Sequence, residues 1–315
     1  MTTVTVSVPR IFASDGQYVL RSDHTKPVGH LFFEDSRPGQ AASLVAICLP
    51  GIGDTRRQYR LLAPILHDSL HARVLVGDLR GFGDSSSFKK DPSVSFSPYS
   101  PEAVAADVIQ LMRELHTTNP DSKFVLIGNS LAAGSMVLAA VQLLKQQHEA
   151  MATQLRAVVL LGPILRDAPN DWWFRPLSHA MFRSLYGGPV WMSYYKTLFP
   201  VKKPQDLDAE CAILASHLRT NKRNVVNIGR FVRASKKGVE RAVHELGTLV
   251  ASVPTPVVAF YGRRDIDYAN FDGELAWIKR AIPTVDITTD DDGGHYPHLE
   301  NAQRVADAIA RVLHL

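Results

Sequence analysis

The stretch at 124–140, FVLIGNSLAAGSMVLAA, sets Ser130 between a short apolar run and a series of small and apolar residues. Gly128 and Ala132 stand two residues before and two after it. Strand, G-x-S-x-small, helix is a pattern that lifts a hydroxyl onto a sharp turn, where the two backbones approach too closely for larger side chains. A hydroxyl so placed can act as a nucleophile. The plainer alternative is that Ser130 only caps the helix that follows.

A serine hydroxyl attacks poorly without a base, which directs attention to histidine. In DDDGGHYPHLE, His295 follows two glycines in a loop beyond the last apolar run. His298 is the rival, but it falls just after Pro297 in the first turn of the final helix. The positive end of a helix dipole opposes the imidazolium that a base must become, so His295 is the expected base. An unperturbed histidine would carry activity down to about pH 6 and lose it below. The orienting carboxylate should lie just past a strand, between serine and histidine in the chain. VVAFYGRRDIDYAN offers Asp265 and Asp267, and Asp265, three residues past Gly262, is preferred. Asp267 reads as a turn residue or a partner of Arg263 or Arg264, and Asp167 is a third candidate. Backbone N–H groups must also face the oxyanion of an acyl-transfer intermediate. Leu131, at the helix start, offers one; Ile52, between Gly51 and Gly53 in PGIGD, offers the other.

These groups need a scaffold. Apolar runs of strand length recur at 43–49, 73–78, 123–128, 156–162, 255–262 and 284–289. They are apolar almost throughout, as strands buried on both faces should be. Helical patterns at 57–69, 101–116, 131–148, 272–281 and 298–313 separate them, with Ser100-Pro101 as a cap and first-turn proline. Alternating strands and helices imply an α/β fold with a mostly parallel sheet covered on both sides. VTVSV, QYVLRS and GHLFFED before residue 36 read as an antiparallel lead-in.

One interval, 166–247, lacks a core strand and holds Trp172, Trp173 and Trp191 with Phe174, Tyr194, Tyr195 and Phe199. It carries fourteen Lys/Arg against seven Asp/Glu, although the whole chain is only +4. We read it as a helical cap inserted into a core of 1–165 and 248–315, with the three tryptophans as candidate substrate contacts. The remaining composition excludes several classes. At 315 residues, 45% hydrophobic and 21% charged, the chain is long and apolar enough for a sizeable core. No arginine-rich arm or aromatic-basic module points to nucleic acid. Cys48 and Cys211 lack metal-ligand spacing, and Cys48, within SLVAICLP, reads as a small buried hydrophobe. No leader pattern opens the sequence and no run reaches the roughly 18 apolar residues of a membrane span, so stable membrane insertion is not expected and a cytoplasmic protein is.

With these residues in place, the sequence resembles the α/β-hydrolase superfamily over essentially its whole length. LPGIGDT, GDLRGFGDSS, IGNSLAAG, and FYGRRD with GGHYPHLE carry the resemblance, in the family's order. It departs in having Pro50 where histidine often precedes the oxyanion glycine, Asn129 for the usual histidine, and Ala132 for glycine. The resemblance implies an α/β-hydrolase fold and a serine hydrolase of carboxylesterase or lipase type. Ser130, Asp265 and His295 would form its triad, Ile52 and Leu131 its oxyanion hole, and no metal or organic cofactor would be needed. The expected substrate is a small apolar ester or other carbonyl compound. The same triad would also serve C–C bond hydrolysis or acyl transfer to an acceptor other than water, and a hydrolase-derived ligand-binding receptor with slow turnover is the reading from another class. The DLRGFGDSS block reads as structural.

Overall fold

Each of the six apolar runs folds as a strand of one sheet, and a hairpin precedes them. The computed structural model describes all residues except 1–7, 13–15, 23–28, 90–94, 147–149, 169–170, 184–185 and 254, with backbone only at 22, 150, 171, 172 and 174. The strands are β1 (Gln17–Ser22), β2 (Gly29–Asp35), β3 (Leu44–Leu49), β4 (Arg73–Gly77), β5 (Lys123–Asn129), β6 (Leu155–Leu161), β7 (Val257–Gly262) and β8 (Asp286–Asp290). Their order across the sheet is β1-β2-β4-β3-β5-β6-β7-β8. Pairs β1–β2 and β2–β4 are antiparallel and the rest are parallel. The expected lead-in is therefore present as β1 and β2, while residues 4–7 of VTVSV lie outside the described residues.

Between and after the strands come α1 (Leu62–Ser69), α2 (Pro101–Thr118), α3 (Leu131–Lys145), the short α4 (Ala150–Gln154), α5 (Asp171–Met181), α6 (Gly187–Thr197), α7 (Leu207–Thr220), α8 (Lys222–Val232), α9 (Lys237–Val250), α10 (Phe271–Ala281), α11 (Pro297–Glu300) and α12 (Ala302–Leu313). A 3-10 turn, Arg56–Tyr59, precedes α1. Ser100 caps α2 by accepting the Ala103 N–H, with Pro101 in the first turn. The strand pleat explains the unbroken apolar runs. Ile47 and Leu49 of β3 join the core under α2 and α3, while Ala46 and Cys48 join the core under α1 and α12.

Four helices, α5 to α8, fill the interval between β6 and α9. The boundary expected at 247 falls inside α9. That helix packs on α3: a Cβ at Gly134 would sit 2.8 Å from Val239 Cγ1. α9 thus covers the sheet with α3, and the separate helical segment ends before it.

The DLRGFGDSS block has structural partners. Asp78 accepts from the Arg56 backbone at 2.7 Å and from the Asp84 backbone at 3.0 Å, and also binds the Arg56 guanidinium. Arg56 is fully buried and also reaches Glu34 at 3.2 Å and Asp84 at 2.9 Å. Register then aligns the strand ends that matter for chemistry. Leu49 lies opposite Gly128, Gly128 opposite Leu160, and Gly262 opposite Asp290. The loops after β3, β5, β7 and β8 consequently leave one edge of the sheet, where open α/β sheets bind ligands. No helix among the described residues is long and apolar enough to cross a membrane.

Candidate active site

Ser130 occupies the turn between β5 and α3 with φ 57° and ψ −124°. A non-glycine residue in such a conformation costs about 1–3 kcal/mol and persists where its surroundings enforce it. The surroundings do so here. Ser130 N–H donates to Leu161 O at 2.9 Å, and Ser130 O accepts from Ala133 N at 3.1 Å and Ile164 N at 3.2 Å. A Cβ at Gly128 would fall 2.7 Å from the Ala132 carbonyl, the close approach that requires a small residue there. The capping alternative fails: Ser130 lacks the extended backbone of a cap residue, and its side chain makes no cap hydrogen bond.

His295 and Asp265 meet directly. His295 Nδ1 lies 2.6 Å from Asp265 Oδ2, with His295 2% exposed and Asp265 4%. That bond fixes the Nδ1–H tautomer, leaving Nε2 as the acceptor. Ser130, 8% exposed, is tied to the same loop through its neighbour: Asn129 Nδ2 donates to Leu161 O at 2.8 Å and to His295 O at 3.1 Å. Asn129 was visible in the sequence only as a departure from the family pattern. Among the described residues the Ser130 hydroxyl itself forms no hydrogen bond, a state common in ligand-free sites, whose bonds tighten when substrate enters.

Of the rival residues, His298 and Asp167 have other partners, while Asp267 lies close to His295. His298 is fully buried, stacks on Tyr59 at 4.7 Å between centroids, and is held neutral by burial and by the nearby His295 and Arg60 charges. Asp167 accepts from the Lys236 backbone at 2.9 Å and pairs with Arg175 at 2.7 Å. Asp267 pairs with neither Arg263 nor Arg264; its Oδ2 is 3.7 Å from His295 Nδ1, and its N–H donates to Asp265 Oδ1 at 3.0 Å. Among the described residues, Asp265, Asp267 and His295 form the group offering three metal-ligating atoms within 4.8 Å. The 2.6 Å Nδ1–Oδ2 contact is a hydrogen bond, closer than two atoms that share an ion with bonds of about 2.0–2.2 Å would stand.

Two carboxylates beside one imidazole change its basicity. Burial alone would lower the His295 pKa, but the charge and hydrogen bond of Asp265, with Asp267 and Glu300 beyond, raise it from 6.5 to about 9. A base works only when deprotonated, so kcat/KM for an uncharged ester should climb as pH rises through this value. The expected profile rises between pH 7 and 9 instead of levelling above pH 6, and the free-enzyme titration is read from kcat/KM. A plateau already complete at pH 7 would contradict it.

On the opposite side of Ser130 lies the PGIGD turn. A Cβ at Gly51 would stand 3.0 Å from Ser130 Cβ, which places Ile52 beside the hydroxyl-bearing turn. Gly51 N–H donates to Gln58 Oε1 at 3.2 Å. Leu131 opens α3, where its N–H has no carbonyl partner within the helix.

Of the three tryptophans, Trp191 is buried against this turn. Its Nε1 donates to Gly53 O at 3.2 Å, and a Cβ at Gly53, where φ is +75°, would lie 2.4 Å from its ring. Trp173 is 47% exposed, unlike the buried rings near the site, and the Trp172 side chain lies outside the described residues. Trp191, expected as a candidate substrate contact, therefore also braces the turn. Trp191→Ala should lower kcat alike for acetate and long-chain esters, on the order of 10²-fold if the turn shifts by an ångström. It should also cost about 3–5 kcal/mol of stability, read in the same variant by denaturation. A rise in KM confined to long esters would instead mark Trp191 as a substrate contact alone.

The alpha/beta hydrolase family model matches residues 46–308. No curated protein sequence matches the chain significantly. Among solved structures, the chain is similar to a hydrolase from Pseudomonas aeruginosa PA01, at 19% identity and TM-score 0.68 over 96% of this chain and 100% of that one. It is also similar to the enol-lactonase from Burkholderia xenovorans LB400, at 18% identity and TM-score 0.66 over 91% and 97%, and to the bromoperoxidase from Bacillus anthracis, at 14% identity and TM-score 0.67 over 95% and 100%. At such identities the likeness is one of fold. The eight-stranded sheet, the strained turn after β5 and the family match across most of the chain lead to one assignment: this protein belongs to the alpha/beta hydrolase family.

Proposed function

We propose that the chain is a serine hydrolase that cleaves a carboxylic ester of apolar character through an acyl-enzyme. The observation that carries this reading is Ser130 on its strained turn, next to Asn129, whose amide donates to the carbonyl of His295, itself paired with Asp265. In the proposed reaction Ser130 Oγ bonds to the substrate carbonyl carbon while His295 Nε2 takes the hydroxyl proton. Asp265 holds the ring in the productive tautomer and stabilises the imidazolium. The N–H groups of Ile52 and Leu131 receive the charge on the carbonyl oxygen. Collapse breaks the ester C–O bond, and the alcohol departs with the proton from His295. Water then repeats the sequence on the acyl-enzyme, releasing the carboxylic acid and freeing Ser130.

The helices α5–α8 are assigned here as a cap over this corner, with α9 counted with the core. The buried aromatic residues of this segment, Trp191 and Tyr195 on α6 with Phe182 and Phe199 in the connections beside it, favour an apolar acyl group. A panel of p-nitrophenyl esters of increasing acyl length tests the reading. Turnover with a stoichiometric burst is expected for at least one of them, with preference for chains longer than acetate. Absence of both burst and steady turnover across the panel would refute it.

A further inference from the structure

One helix of the cap, α6, together with the residue just past it, reaches the turn after β3 and the loops that carry His295 and Asp267. Trp191 bonds Gly53 O, and Tyr195 lies near Asp54, the next residue of the same turn. Just past the helix, Leu198 O accepts the His295 N–H at 3.1 Å. The remaining contact concerns the base itself. The Tyr194 hydroxyl donates a short hydrogen bond to Asp267 Oδ1, and the other oxygen of that carboxylate lies 3.7 Å from His295 Nδ1. The imidazole therefore faces two carboxylates: Asp265, from its own corner of the core, and Asp267, which a cap phenol holds.

We propose that Tyr194 is a positioning residue for His295, acting through Asp267, so that the basicity of His295 depends on α6 being seated on the core. The proposal rests on the reading of His295 as the base, but its contacts do not. A hydrogen bond to the ionised form favours that form. Burial and the adjacent Asp265 charge push Asp267 toward its protonated state, while His295, the Tyr194 hydrogen bond and Lys236 oppose this. The phenol stays a donor, since burial and the Asp267 charge hold its own pKa well above the ordinary value. The groups facing His295 are Asp265 and Asp267 after β7, and Glu300 and His298 on α11. Of the groups that oppose protonation of Asp267, only Tyr194 comes from within α5–α8. Loss of its hydroxyl removes a hydrogen bond that favours the ionised form of the half-buried Asp267, which then takes up a proton. The imidazolium loses a neighbouring charge and its pKa falls.

The His295 ring is titrated directly by NMR in protein labelled with ¹⁵N-histidine, its signal assigned by its absence in His295→Gln. Wild type, Tyr194→Phe, Asp267→Asn and the double variant are compared, with melting followed in each. Both single variants should lower the midpoint by about 1 unit, on the scale that one nearby charge exerts. The double variant should show no further shift. The pH midpoint of kcat/KM should move with the ring in each case. An unmoved midpoint in folded Tyr194→Phe would overturn the proposal, as would additive shifts in the double variant, since Tyr194 would then act without Asp267. If Tyr194→Phe unfolds, Asp267→Asn decides alone: an unchanged midpoint removes the carboxylate that the proposal requires. The NMR readout needs no turnover, so a failure of the esterase reading and a failure of this coupling remain distinguishable.

Discussion

Ser130→Ala is expected to lower kcat for a good ester by about 10⁴- to 10⁶-fold, the scale of removing a triad nucleophile. The loss follows from one atom. Alanine keeps the Cβ that touches the Gly51 turn and keeps all the backbone hydrogen bonds that hold the elbow. The hydroxyl is bonded to no other group among the described residues, so its removal leaves no buried partner unpaired. Melting should therefore stay near that of the wild type, and binding of an unreactive apolar analogue should persist. Ser130→Gly adds a second check. Glycine adopts the positive φ without the side-chain penalty, so this variant should be inactive yet no less stable than the wild type. A Ser130→Ala protein that turned over near the wild-type rate would remove the nucleophile assignment altogether.

Asp265→Asn carries the second-largest expected loss, roughly 10⁴-fold in kcat, because an amide in this position favours the wrong imidazole tautomer. The adjacent carboxylate makes the comparison sharp. Asp267 lies 3.7 Å from His295 Nδ1 where Asp265 lies 2.6 Å, and it is engaged by Tyr194 instead. Asp267→Asn should thus cost kcat about tenfold at most, while shifting the pH midpoint, since it alters charge near the ring without touching its tautomer. Steady-state kinetics over a pH series separates the two. Reversed magnitudes would transfer the orienting role to Asp267 and leave the rest of the arrangement standing.

Much of this geometry was legible in the residues. The apolar runs predicted β3 to β7 because burial on both faces demands unbroken apolar sequence, whereas β8, DITTD at the sheet edge, is only half-buried; β3 through β8 begin and end within a few residues of the expected positions. Ser130 was legible because a tight strand-to-helix crossing restricts its flanks to small residues. His295 and Asp265 followed from the loops after known strands. The contacts of α6 were not legible. Trp191, Tyr194 and Tyr195 are spaced as any helix core would be, and nothing in their spacing tells Gly53, Asp54 and Asp267 apart as partners. The packing of α9 was not legible either, because α9 continues the same helical pattern as α8 and nothing in that pattern points to its seat on α3. The basicity of His295 was equally hidden, since an isolated histidine value takes no account of a second carboxylate and Glu300 folded against the ring.

Trapping the acyl-enzyme tests the central claim most directly. The protein is mixed with a p-nitrophenyl ester, quenched in acid within the burst, and read by intact-mass and peptide mass spectrometry, with a fluorophosphonate as a parallel irreversible probe. One acyl or phosphonyl group per chain is expected, on the peptide containing Ser130. It should be absent in Ser130→Ala and should form much more slowly in His295→Gln. Modification at any other residue, or full turnover with Ser130 never labelled, would contradict the account.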